Sequence, residues 1–124
     1  MNDATLSKQT RSLVQELRRG VITLAVLSQL HEEQYGYSLM KRLEDRGMQV
    51  DQGTLYPLLR RLEEQKLLES DWRVEASRPR RYYMLSQFGK KVLQEMRTEW
   101  SRIKTTVDDL LTNEKEKENE NETN

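Results

Sequence analysis

A mainly helical fold closed by one small β-hairpin is what this sequence predicts, and three observations carry the prediction. The first is the stretch Val50–Glu64. Leu55, Leu59 and Leu62 recur there at i, i+4 and i+7 with Leu58 beside them, while Gln52, Tyr56, Arg60 and Arg61 take the other side. The second is a pair of short runs, Leu67–Val74 and Tyr82–Leu85, whose Trp72, Val74, Tyr82 and Tyr83 favour strands. The third is a late helix in which Leu93, Met96, Trp100, Ile103, Val107 and Leu110 are spaced 3, 4, 3, 4 and 3 apart, the alternation of a coiled-coil seam.

Composition narrows the functional classes. A chain of 124 residues holds one domain, or one domain with an appendage. Hydrophobic residues make up 35% and charged residues 34%, so one protomer builds only a modest core. Lys+Arg and Asp+Glu balance at 21 each, so only the distribution of charge informs. Met1–Ser86 carries 14 basic against 12 acidic residues, whereas Asn113–Asn124 carries two Lys against five Glu. The absence of cysteine excludes disulfides and thiolate metal sites. The longest apolar run, Leu24–Leu27, is far short of a membrane span, and Met1–Thr10 has no signal-peptide pattern, so a cytoplasmic location is expected.

Taken in order, Thr5–Arg19 reads as a first helix with the thin apolar set Leu6, Leu13, Val14 and Leu17, to be covered by something larger or by a second copy. Gly20 is expected to break it. Val21–Glu33 is apolar nearly all round and reads as a central buried helix, with His31 as a favourable charge near its C-terminus. Tyr35-Gly36-Tyr37 is a turn. Ser38–Arg46 is a helix with Leu39, Met40 and Leu43 inward, ended by Gly47, with Met48 folding back on Leu43. The Val50–Glu64 helix follows, and its start stays open: Asp51 is a good N-cap, but Pro57 belongs in a first turn, which favours Thr54.

Two helices joined by so short a turn, the second with a polar outer face, form a helix-turn-helix. The hairpin after it has a basic loop, Glu75–Arg81, in which Pro79 is confined to a turn or edge. That order defines a winged helix-turn-helix with an added N-terminal helix and a C-terminal dimerisation helix. Ser86 caps the last helix, expected over residues 87–112. At ~1.5 Å per residue it outruns so small a body, so its seam of Leu93, Met96, Trp100, Ile103, Val107 and Leu110 calls for a partner helix, most simply from a second copy. Residues 1–86 are then the DNA-binding domain, 87–112 the dimerisation helix, and 113–124 a disordered polar tail.

Assembled in this way, the chain resembles the PadR family of bacterial transcriptional regulators from Gly20 to the last helix. Three motifs carry the resemblance: Tyr35-Gly36-Tyr37-Ser38-Leu39, Gly53-Thr54-Leu55-Tyr56-Pro57-Leu58-Leu59-Arg60-Arg61-Leu62-Glu63, and Arg78-Pro79-Arg80-Arg81-Tyr82-Tyr83-Met84-Leu85-Ser86. The chain departs from the family where Ser38 replaces an acidic residue and Ser77 a glycine. The short C-terminal helix looks like the compact subgroup. The resemblance implies a homodimeric repressor, and, since some members of the family release DNA on binding small aromatic molecules, a small aromatic effector. Trp100, the one indole in the seam, is the expected effector contact.

The expected DNA contacts are Lys41 and Arg42 on the first helix of the motif, Gln52, Thr54, Tyr56, Arg60 and Arg61 on the second, and Arg78, Arg80 and Arg81 in the hairpin. Gln reads an adenine edge, Arg reads guanine or a phosphate, and Tyr reaches phosphates. Catalysis has no footing. The chain has one His, no Cys, no Gly-rich phosphate loop and no metal-ligand spacing, and the pairs Glu32-Glu33 and Asp108-Asp109 point to different helix sides. No cofactor or metal is expected. The rival reading is a winged-helix protein-interaction adaptor that does not read DNA.

Overall fold

A computed structural model describes the backbone of residues 3–122 and the side chains of residues 7–113 and 120. Leu6, as a member of the first apolar stripe, and Thr123 and Asn124, at the end of the expected tail, lie outside the described residues. The elements run α1 (Asp3–Ser28), β1 (Gln34–Tyr35), α2 (Gly36–Asp45), α3 (Gln52–Glu64), β2 (Leu68–Glu75), β3 (Arg78–Leu85) and α4 (Gln87–Glu122). Contacts divide the chain into two compact units, Met1–Leu93 and Gln94–Asn124.

The first unit gathers α1, α2 and α3 with a three-stranded antiparallel sheet ordered β1-β3-β2. Its core is leucine-rich: Leu27, Leu30, Leu39, Leu55, Leu59, Leu62 and Leu85 are each at most 2% exposed. Helix α1 corrects the expected break at Gly20. It runs unbroken to Ser28, because an exposed helical glycine costs only about 1 kcal/mol relative to Ala and no proline or cap stands beside it. The same helix stops before His31, which lies exposed beyond its end. Leu13, Val14 and Leu17 of α1 are 44–74% exposed, so the thin stripe stays uncovered in a single chain.

Both helices of the central motif end alike. The Met48 amide donates to Leu43 O and the Gly47 amide to Glu44 O; the Leu67 amide donates to Leu62 O and the Lys66 amide to Glu63 O. These are two Schellman ends, the first as expected from Gly47, the second with Lys66 in the left-handed region at φ 69°. Asp51 is the cap of α3. Its carboxylate accepts the Thr54 amide at 2.8 Å, and Pro57 therefore sits inside the helix. The carbonyl that Pro57 deprives of a donor is that of Gly53, an exposed residue.

The hairpin corrects the expected basic loop. Its strands are eight residues each and meet at a two-residue turn, Ala76-Ser77, so Arg78, Pro79, Arg80 and Arg81 belong to β3. Pro79 is tolerated because Val74–Pro79 is the second pair from the turn, where a two-residue hairpin exchanges no hydrogen bonds, and β1 reaches only Tyr82 and Tyr83.

Helix α4 begins where Ser86 Oγ accepts the Gly89 amide at 2.9 Å and donates to Lys66 O at 2.6 Å. A Cβ on Gly89 would lie 2.0 Å from Leu67 O, so this first turn requires glycine. The helix continues to Glu122, ten residues beyond the expected end at Thr112. Asn113–Glu122 is rich in Glu and Lys, good helix formers at alternating charge, and has neither Gly nor Pro to stop it. Leu93, the first residue of the expected seam, is only 2% exposed and belongs to the first unit. In the second unit Trp100, Ile103, Val107 and Leu110 are 39–62% exposed along one stripe.

Candidate nucleic-acid interface

Helix α3 buries Leu55, Leu58, Leu59 and Leu62 and turns two rows outward. Gln52, Tyr56 and Arg60 recur every four residues and so share one edge, which Glu63 continues; Thr54 and Arg61, seven apart, share the other. Hydrogen bonds from Thr54, the side chain first and then the backbone, hold the Asp51 carboxyl below its usual range, leaving a carboxylate at the positive end of the helix.

Tyr56 is positioned by α2. The Gly36 backbone lies against its ring, and a Cβ there would fall 2.0 Å from the ring carbon Cε1. The start of α2 is itself held by Ser38, whose hydroxyl accepts the Tyr35 amide at 3.1 Å and donates to Tyr35 O at 2.9 Å. Serine thus supplies the acceptor at this position.

The hairpin stands beside the Tyr56 and Arg60 part of this edge. Between them is a cavity of about 350 Å³ lined chiefly by Tyr35, Tyr56, Arg60, Trp72, Arg80 and Arg81. Of these six, Tyr35 and Trp72 are the two that sequence reasoning missed. A two-residue strand is too short to show periodicity, and Trp72 reads equally well as a packed strand residue, although it is 62% exposed.

The expected cations differ in how free they are. Lys41, Arg60, Arg61 and Arg78 are exposed and make no ion pair among the described residues. Arg42 is 3.7 Å from Glu32, a loose pair. Arg80 lies 3.4 Å from Glu75 and stacks over Tyr35 at 4.5 Å. Arg81 is the most engaged: it donates to Glu63 at 2.6 Å and to Ser70 at 3.0 Å. The Tyr82 hydroxyl donates to Glu75 at 2.8 Å, which raises its pKa; Tyr83 is raised mainly by burial. The structure thus gathers Tyr56, Arg60, Arg80 and Arg81 around one cleft, with Gln52 a turn before Tyr56 on the same edge of α3 and Thr54 and Arg61 on the far edge. Trp100 and the seam beyond Leu93 belong to the second unit.

No group of three or more His, Asp or Glu side chains suited to a metal occurs among the described residues, and no described helix is long and apolar enough to cross a membrane. A helix-turn-helix followed by a basic hairpin is the winged-helix class of nucleic-acid-binding proteins. Residues 23–95 match the transcriptional regulator PadR-like family. The chain belongs to that family, whose members are DNA-binding regulators and not enzymes. Among solved structures it is similar to a PadR family transcriptional regulator from Eggerthella lenta, with 44% identity, a TM-score of 0.80, and coverage of 87% of this chain and 96% of that one. A PadR-like transcriptional regulator from Bacillus cereus aligns at 33% identity and a TM-score of 0.69 over 77% of this chain and 96% of that one. The transcriptional regulator Rv3488 of Mycobacterium tuberculosis is 38% identical over 85 residues, 68% of this chain and 79% of that protein.

Proposed function

We propose that this regulator is a homodimeric, cytoplasmic repressor that reads its operator through α3 and grips the flanking backbone with the hairpin. The observation that carries the reading is the exposed outer edge of α3, where Tyr56 and Arg60 line a cleft with Trp72, Arg80 and Arg81 of the hairpin and Gln52 lies a turn before Tyr56, with Arg60, Arg61 and Arg78 free of ion-pair partners among the described residues. Gln52 and Tyr56 enter the major groove, Thr54 and Arg61 line the other edge of the same helix, and Lys41, Arg42, Arg78 and Arg80 meet phosphates. Fluorescence anisotropy on a duplex selected from a random pool, and on a scrambled duplex, tests the division. Arg78→Ala weakens both duplexes alike and lowers the salt slope by about one, whereas Gln52→Ala weakens the selected duplex far more. Equal losses on both duplexes for Gln52→Ala would rule out base reading. A parent protein with no salt-sensitive duplex binding would leave the adaptor reading in its place.

The dimer rests on two uncovered apolar stripes, one on α1 and one on α4. A planar aromatic effector fits this reading at Trp100, the only aromatic member of the α4 seam and 39% exposed in one chain. Two such rings facing each other form a flat apolar slot suited to stacking. Occupancy alters operator affinity only if the ligand prefers the arrangement that does not fit DNA. With Trp72→Phe to isolate Trp100, a panel of phenolic acids and planar cations should include one that quenches its fluorescence and weakens operator binding. No quenching by any of them, with operator affinity unchanged, leaves Trp100 as packing alone.

A further inference from the structure

Beyond Tyr82 the hairpin loses its third strand. β1 pairs only with Tyr82 and Tyr83, so Arg78–Arg81 and their partners on β2 form a two-stranded ribbon. Such a ribbon is marginal by itself. Arg81 is the first residue outside the reach of β1, and its side chain is turned toward α3. Nη2 donates to Glu63 Oε1 in the last turn of α3 at 2.6 Å, and Nε donates to Ser70 Oγ on β2 at 3.0 Å. The guanidinium carbon lies 5.6 Å from the centre of the Trp72 ring and 5.5 Å from that of Tyr83. The two charged side chains are 32% and 28% exposed, more sheltered than the Arg42–Glu32 and Arg73–Asp71 pairs. A short, charge-assisted contact with few free rotamers holds geometry better than a solvated pair.

We propose that Arg81 is a positioning residue which, with Glu63, pins the hairpin to the recognition helix and fixes the width of the cleft between them. The proposal rests on the DNA-binding reading for its consequence but not for its geometry. Arg81 then contributes to operator affinity without touching a phosphate. Its chemistry sets it apart from Arg78, whose head makes no ion pair among the described residues. A definite sign follows. Glu63 is a negative charge beside the backbone path, so simple electrostatics says that Glu63→Gln strengthens DNA binding. Loss of the tether instead weakens it.

The test uses the full chain in two arms. In the first, parent, Glu63→Gln and the double variant Glu63→Gln/Arg81→Met are titrated with the selected duplex at several salt concentrations, well below their melting temperatures. The expected result is a several-fold loss for Glu63→Gln, no further large loss in the double variant, and a salt slope like that of the parent. Glu63→Gln binding as tightly as the parent or tighter would overturn the tether, and a double variant whose slope falls by about one would show that Arg81 meets a phosphate directly. In the second arm, amide hydrogen exchange of the DNA-free proteins reads the tether itself. Exchange over Val74–Arg80 should speed several-fold in Glu63→Gln while α2 stays protected. Unchanged exchange there overturns the proposal even if DNA binding fails, and absence of duplex binding by the parent counts against the DNA reading alone. Arg81→Lys, which keeps the charge but not the planar fork, should fall between parent and double variant in both arms.

Discussion

At the scale of single residues, the turn of the hairpin is built from the wrong amino acids for its shape. Ala76 and Ser77 have φ of 48° and 68°, the left-handed pair of a type I′ turn that glycine and asparagine favour. Ser77 stands where the family resemblance leads one to expect glycine, so the departure seen in the sequence falls on a residue whose backbone bears the strain. Ser77→Gly should relieve up to about 1 kcal/mol, less the extra entropy glycine loses on folding. The melting temperature should rise by a few degrees, read by calorimetry. A fall in melting temperature would mean that the Ser77 side chain stabilises the turn in a way its backbone does not disclose. Asp51 is equally legible as a cap, but local sequence balances it against Thr54 because Pro57 argues for a later start. The Asp51 cap, with Gly53 exposed, decides that balance, and exposure is a tertiary fact.

At the scale of elements, the outer faces of α1 and α4 show the same feature. Leu13, Leu17, Ile103, Val107 and Leu110 are all 44% or more exposed. Folded chains in water rarely leave so much apolar side chain uncovered along continuous stripes. Ile103→Asp places a charge in the middle of the α4 seam and should weaken self-association strongly. Sedimentation equilibrium of parent and variant checks it; a monomeric parent, or a variant that associates as tightly, removes the seam as the interface. The helix boundaries are less legible than the helices. Gly20 reads as a stop and is not one, and the polar Asn113–Glu122 segment reads as a tail although its residues favour a helix. At Gly20 a weak local preference is outweighed by its neighbours, whereas over Asn113–Glu122 the helix propensity of Glu and Lys prevails.

At the scale of the whole molecule, the homodimer proposed above would present two α3 helices, related by a two-fold axis, to one duplex. Recognition then requires half-sites roughly 34–36 Å apart on one face of DNA. The selected operator should be palindromic. Inserting about five base pairs between its halves, half a helical turn, should abolish tight binding, whereas about ten base pairs, a full turn, should cost less. Footprinting and anisotropy on the three duplexes measure this. Indifference to the five-base-pair insertion would show that each protomer binds independently.

Residue order alone is enough to read the repertoire: a helix-turn-helix from the Leu55–Leu62 stripe, a hairpin from its aromatic and β-branched runs, and a long last helix whose periodic apolar residues leave Trp100, Ile103, Val107 and Leu110 exposed along one stripe. Those are matters of periodicity and residue type, which local sequence records directly. Which cations are free is settled by the folded chain. Arg78, Arg80 and Arg81 look alike as a basic cluster, yet β3 alternates their side chains between the two faces of the sheet. Arg80 meets Glu75 and Tyr35, Arg81 meets Glu63, eighteen residues away in the chain, and Arg78 meets no ion-pair partner among the described residues. The fold also settles that Gly36 must be small, since the ring it accommodates belongs to Tyr56 on another helix. Contacts between residues distant in sequence leave no periodic trace, so charge and residue type mark the interface while the partners of each side chain assign its task.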